Sequence, residues 1–197
     1  MQPRPSSPRP QSVNTSQRTT IIGAAALSAA VLMLTQLAPA SADGIGVQDP
    51  QDLDHGVDLR SVVVEHGARN VVVTTTHTDL QESYLSGSSG AVFLDTDPSD
   101  TGPEYVFSGG YFLGTDYVLL HTDGFATKKW GEPVEGSYRM KLDFDAEHVR
   151  MRISRGAIES PDEVRVAVRV AGTRPNGKDT ARDWLGAPRG FTDWVAQ

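Results

Sequence analysis

An all-β domain, built as two antiparallel sheets packed into a sandwich of immunoglobulin-like or jelly-roll kind with about eight or nine strands, is what this sequence predicts. Three observations carry that reading. Apolar and polar residues alternate with a period of two between residues 138 and 170. Clusters of Gly, Pro, Asn and Ser punctuate the chain at short intervals. After residue 42, no stretch of ten residues carries apolar side chains at helical spacing.

The first 42 residues stand apart and read as a secretory signal peptide. Arg4, Arg9 and Arg18 supply positive charge with no acidic residue before Asp43, and residues 21–37 supply an apolar run. Ala40-Ser41-Ala42 is a small-residue cleavage site, which places the cut between Ala42 and Asp43. Gly23, Ser28, Thr35 and Gln36 interrupt the run, which falls short of the roughly 20 apolar residues that span a bilayer. Cleavage is therefore expected over anchoring, with no membrane attachment afterwards. Gln17-Arg18 stands where a twin-arginine signal would carry a pair, so the expected route is the general secretory one and the expected location extracellular.

Residues 43–197 then form one domain, long enough to bury about 70% of its unfolded surface without staples. The cysteine count is zero, so no disulfide assists it. The expected strands run over 57–65, 70–78, 91–95, 104–108, 116–121, 138–145, 149–154 and 163–171. Val62-Val63-Val64 and the run 71–76 suit strands covered on both sides or central in a sandwich. In the second half, Met140, Leu142 and Phe144, then Val149, Met151 and Ile153, then Val164, Val166, Val168 and Val170 mark the inward face. Asp145-Ala146-Glu147-His148 is of hairpin length and should make its flanking strands antiparallel neighbours. Residues 156–162 leave room for one helical turn, ended by Pro161. Loops fall at 86–90, 98–103, 109–110 and 175–177.

The order of these features resembles the DOMON-type and family 9 carbohydrate-binding β-sandwiches. The acidic entry 52–59 leads into a strand, a second strand runs over 71–77, and a third ends in Val92-Phe93-Leu94-Asp95-Thr96-Asp97. The segment 151–158 resembles their strand followed by a small turn. The chain also resembles small secreted bacterial proteins of no assigned function. The resemblance implies a sandwich that binds sugar between aromatic residues or, in some DOMON domains, haem through Met and His. No sugar or haem ligand transfers residue by residue, and Met140 and Met151 read as core.

Charge narrows the partners. Residues 43–197 hold 15 basic and 25 acidic side chains, which argues against nucleic acid. The acidity concentrates in residues 43–137. There, Asp95, Asp97, Asp100 and Glu104 leave a strand and enter a turn, a candidate calcium loop, because calcium takes six to eight oxygen ligands. The loop fits an EF-hand poorly, and Asp and Pro also form ordinary solvated turns. Asp49, Asp52, Asp54 and Asp58 make a second acidic cluster. His77-Thr78-Asp79 and His121-Thr122-Asp123 repeat a triplet that would offer a transition-metal site were the two on neighbouring strands.

Arg139, Lys141, Arg150, Arg152, Arg165 and Arg169 occupy outward positions of the later strands and would form one cationic stripe if those strands are adjacent. An anionic envelope polymer could dock there; the plainer account pairs these cations with cross-strand carboxylates such as Asp143 and Glu163. Trp130, in the polar segment 128–131, is the tryptophan expected to be exposed for sugar stacking. No G-x-S-x-G, P-loop or H-E-x-x-H motif occurs. The expected function is a non-enzymatic extracellular binding module for carbohydrate or envelope polymer, with calcium as a candidate stabiliser. A structural or protein-interaction domain and a hydrolase with scattered carboxylates are the alternatives.

Overall fold

The computed structural model describes residues 43–174 and 176–197; the segment expected to be a signal peptide, up to Ala42, lies outside the described residues. Two antiparallel sheets form a sandwich, as the alternation predicts. The strands are β1 (Asp43–Gln48), β2 (Leu59–His66), β3 (Asn70–His77), β4 (Ser89–Asp95), β5 (Tyr105–Gly110) and β6 (Tyr117–Thr122), followed by β7 (Trp130–Pro133), β8 (Tyr138–Asp143), β9 (His148–Ser154), β10 (Glu163–Thr173), β11 (Thr180–Trp184) and β12 (Val195–Ala196). One sheet has the order β1-β2-β3-β9-β8 and the other β11-β10-β4-β5-β6-β7, with β12 also paired to β10.

The strand count exceeds the expected eight or nine because β1, β7, β11 and β12 carry weak signals. Their sequences, such as DGIGVQ, WGEP and TARDW, are short, interrupted by Gly or Pro, or polar. They are strands because neighbours supply hydrogen-bonding edges, which is a tertiary effect that overrides local preference.

Between the sheets lies the main core. Val62 and Val64 of β2, Val71 and Val73 of β3, Val92 and Leu94 of β4, and Phe107 of β5 point inward. From the later strands come Val149, Met151 and Ile153 of β9 and Val164 to Val170, alternate residues, of β10. Met140 and Met151 face each other across β8 and β9 within it. The turn after β8 joins antiparallel neighbours, and a single 3₁₀ turn, Arg155–Ile158, precedes Pro161, both as expected. Of the two expectations for β2, a central place holds, since it lies between β1 and β3, and cover on both sides does not, since Val63 is 41% exposed between two fully buried valines. The outer side of the five-stranded sheet faces solvent at β2, so an unbroken valine run there still has a wet member.

The seven-stranded sheet differs. On its outer side Ala91, Phe93, Val106 and Ala167 are buried in a second cluster beneath Leu120, Phe125, Trp130, Trp184 and Phe191. This layer explains why β4 is buried from Gly90 to Asp95 without alternation. Phe93 sits at its centre, 4.9 Å from Phe125 and 5.9 Å from Trp184 between ring centroids.

Candidate functional site

Sheet membership decides what happens to the outward arginines. They do not form one stripe: Arg139, Lys141, Arg150 and Arg152 lie on β8 and β9 of the five-stranded sheet, whereas Arg165 and Arg169 lie on β10 of the other. Arg139 and Arg152 are cross-strand partners, as are Lys141 and Arg150. All four are exposed and line a concavity of about 390 Å³. Among the described residues, one carboxylate reaches them, Glu65 at 3.5 Å from Arg150, in a solvent-exposed pair of small worth. Neither Asp143 nor Glu163 pairs with them.

On β10 the same residue type is absorbed by its surroundings. Arg165 donates from Nε and Nη2 to Asp95 Oδ2 at 2.9 and 2.6 Å. Its guanidinium also lies 4.7 Å from the Phe191 ring centroid and 4.5 Å from that of Trp194. Arg169 stands within 6 Å of Phe93, Trp130 and Trp184, the range of attraction between a cation and a ring face. Burial, with Arg182 nearby, lowers its affinity for a proton from the ordinary guanidinium value. Trp130 opens β7 half-buried against this layer, instead of standing exposed in a polar loop. It lines a groove of about 220 Å³ with Arg169, Arg182, Ser108 and Thr180.

In the acidic turn after β4 one oxygen of each carboxylate is taken by protein donors, while the buried Asp95 Oδ1 has none. Asp95 holds Arg165, and Asp97 Oδ1 accepts from the Ser99 amide and hydroxyl at 2.8 and 2.6 Å. Those bonds hold the Asp97 carboxyl below its usual value. Asp100 caps the Thr101 amide, and Glu104 Oε2 accepts from the amide and hydroxyl of Thr96 at 2.6 and 3.0 Å. Burial nevertheless pushes the Glu104 carboxyl up. Asp100 and Glu104 line a concavity of about 330 Å³ together with His121 and Asp123.

The second acidic cluster gathers differently. Asp49 and Asp52, on the loop after β1, meet Asp183 of β11, and a carboxylate oxygen from each lies within 4.8 Å of the others. The sequence does not announce Asp183, because β11 is short and polar and hides its inward position. Asp58 stands behind them, with Oδ1 accepting from the Leu53 amide at 2.7 Å and Oδ2 from the Thr78 hydroxyl at 2.7 Å. Asp54 does not enter the gathering.

The two His-Thr-Asp triplets do not meet on neighbouring strands, since β3 and β6 belong to different sheets. His77 is a core residue: Nδ1 donates to the Val57 carbonyl at 2.8 Å and Nε2 accepts from the Thr75 hydroxyl at 2.7 Å. His121 lies exposed beside Tyr105. No protein-family model and no curated protein matches this sequence; what is shown is an architecture, a two-sheet antiparallel sandwich.

Proposed function

We propose that this protein is an exported, non-enzymatic binding module that holds an acidic polysaccharide of the cell envelope on the outer face of its five-stranded sheet. The observation that supports this is the like-charged pairing of Arg139 with Arg152 and of Lys141 with Arg150. Like charges directly opposite each other on a sheet are destabilising. Their retention in a domain of net negative charge is explained by a polyanion that crosses β8 and β9 and neutralises both rows. Arginine suits that task, because its planar fork grips carboxylate or phosphate with two parallel hydrogen bonds. The signal-like segment before Asp43 supports export, with Asp43 as the first residue of the released protein.

Retention of the purified protein on immobilised polygalacturonate, against a neutral glucan, is the test. Binding should be selective for the polyuronate and weaken as salt rises, since exposed charges are screened. The double substitution Arg150→Gln, Arg152→Gln should weaken it by about tenfold or more. Equal retention of variant and parent would overturn the proposal. A second reading rests on β8 being a sheet edge, where basic side chains also discourage pairing with another sheet. Under it the variant would self-associate while polymer retention stayed unchanged.

A further inference from the structure

We infer that Asp49, Asp52 and Asp183 form a site for a hard divalent cation of the calcium type, which fastens the loop after β1 to β11. The three carboxylates come from segments far apart in sequence, yet one oxygen of each lies within 4.8 Å of the other two. Calcium holds oxygens at about 2.3–2.6 Å, so ligands on opposite sides of one ion stand about 4.6–5.2 Å apart. The spacing fits a single ion bridging all three. Oxygen donors alone, without nitrogen or sulfur, favour a hard cation over zinc or copper.

An independent observation points to a missing partner. Asp49 is 6% exposed, and while its Oδ1 accepts from the Gly186 amide at 2.6 Å, its Oδ2 is buried with no hydrogen-bond donor. An unsatisfied buried carboxylate oxygen is costly unless a cation or a donor reaches it. Asp183 is 5% exposed and accepts from the Leu59 amide at 2.9 Å and the Trp184 amide at 2.6 Å, leaving further lone pairs on both oxygens. Among the described residues no Lys or Arg nitrogen lies within 4.0 Å of Asp49, Asp52 or Asp183. Arg60, the near guanidinium, reaches Asp58 at 3.6 Å instead. Asp52 is exposed and forms the mouth of the cluster, open to solvent.

The ion would do in this cysteine-free chain what a cross-link does elsewhere. Asp49 and Asp52 follow a strand of the five-stranded sheet, and Asp183 belongs to the seven-stranded one. Binding to the folded form alone stabilises it in proportion to the logarithm of the free ion concentration.

Calorimetric melting of the purified protein in chelator and then in calcium chloride tests the site, with isothermal titration alongside. Saturating calcium should raise the Tm by about 5 °C or more, and magnesium less. Asp49→Asn keeps an oxygen for the Gly186 amide but loses a charge, so it should abolish the calcium-dependent rise. Asp97→Asn, in the turn after β4, should retain it. Should Asp49→Asn fail to fold, Asp52→Asn at the exposed mouth should weaken calcium affinity by about tenfold in titration. A Tm and a heat signal both unmoved by calcium would overturn the inference, as would a rise lost in Asp97→Asn or an affinity unchanged in Asp52→Asn. The variants leave Arg150 and Arg152 intact, so polymer retention is scored separately.

Discussion

The outer faces of the two sheets carry the same residue in the same rhythm and treat it in opposite ways. On β9, Arg150 and Arg152 stand in solvent opposite Lys141 and Arg139. On β10, Arg165 and Arg169 are packed among Phe93, Trp130, Trp184, Phe191 and Trp194. An outward arginine is thus a surface charge or a packing element according to what the loops lay over the sheet. The loops before β7 and after β11 bring aromatic rings to one face, and nothing comparable reaches the other among the described residues.

That contrast can be broken most forcefully at Phe93. Phe93→Ala removes the ring at the centre of the outer cluster and should lower unfolding stability by about 3–5 kcal/mol, read from urea midpoints. A loss below 1 kcal/mol would mean the layer is decorative and the two faces are energetically alike.

The arginines themselves give the next test. Asp95→Asn strips Arg165 of its counter-charge at a position where the Asp95 side chain is fully buried, and should cost about 2–3 kcal/mol after allowance for the partly exposed Arg165. Arg152→Gln, on the bare face, should change stability by less than about 0.5 kcal/mol or raise it, because it relieves repulsion from Arg139. Similar losses from both would erase the distinction.

A pH-dependent effect concerns the inner side of the five-stranded sheet, where polar residues are dry. Burial lowers the His77 pKa from 6.5 to about 4, against the opposing pull of the Val57 carbonyl and the Asp58 carboxylate, with His148 adding repulsion. The edge of its ring also meets Tyr111. Because the folded state refuses a proton that the unfolded state accepts, this contribution to stability is intact above pH 6.5 and is lost as the pH falls toward 4. At pH 5 the loss from His77 alone should be about 2 kcal/mol. The imidazole should remain neutral by NMR at that pH; a charged His77 there would contradict its placement in the core.

The sandwich was legible in the sequence where one side of a strand is dry and the other wet. Met140 to Val170 displays that rhythm openly, and the strands, the hairpin at 145–148 and the turn before Pro161 follow from it. Legibility ended where coverage depends on a distant segment. Val63 looks like Val106, and both face outward on their strands, yet one is wet and the other buried, because only the seven-stranded sheet has an outer layer. Asp49 and Asp52 were visible as acidic residues, but their partner Asp183 arrives from the far end of the chain on a five-residue strand with no alternation strong enough to announce it. The cations of β8 and β9 were named from sequence alone; their separation from those of β10 required the strand order.

The aromatic layer has one more consequence. Trp130, Trp184 and Trp194 are the whole tryptophan complement of the protein, and all three pack on the outer side of the seven-stranded sheet. Intrinsic fluorescence is therefore a one-sided gauge: it registers the peeling of that layer and is blind to a ligand arriving on β8 and β9. A titration followed by emission could come out flat while the opposite face is fully occupied.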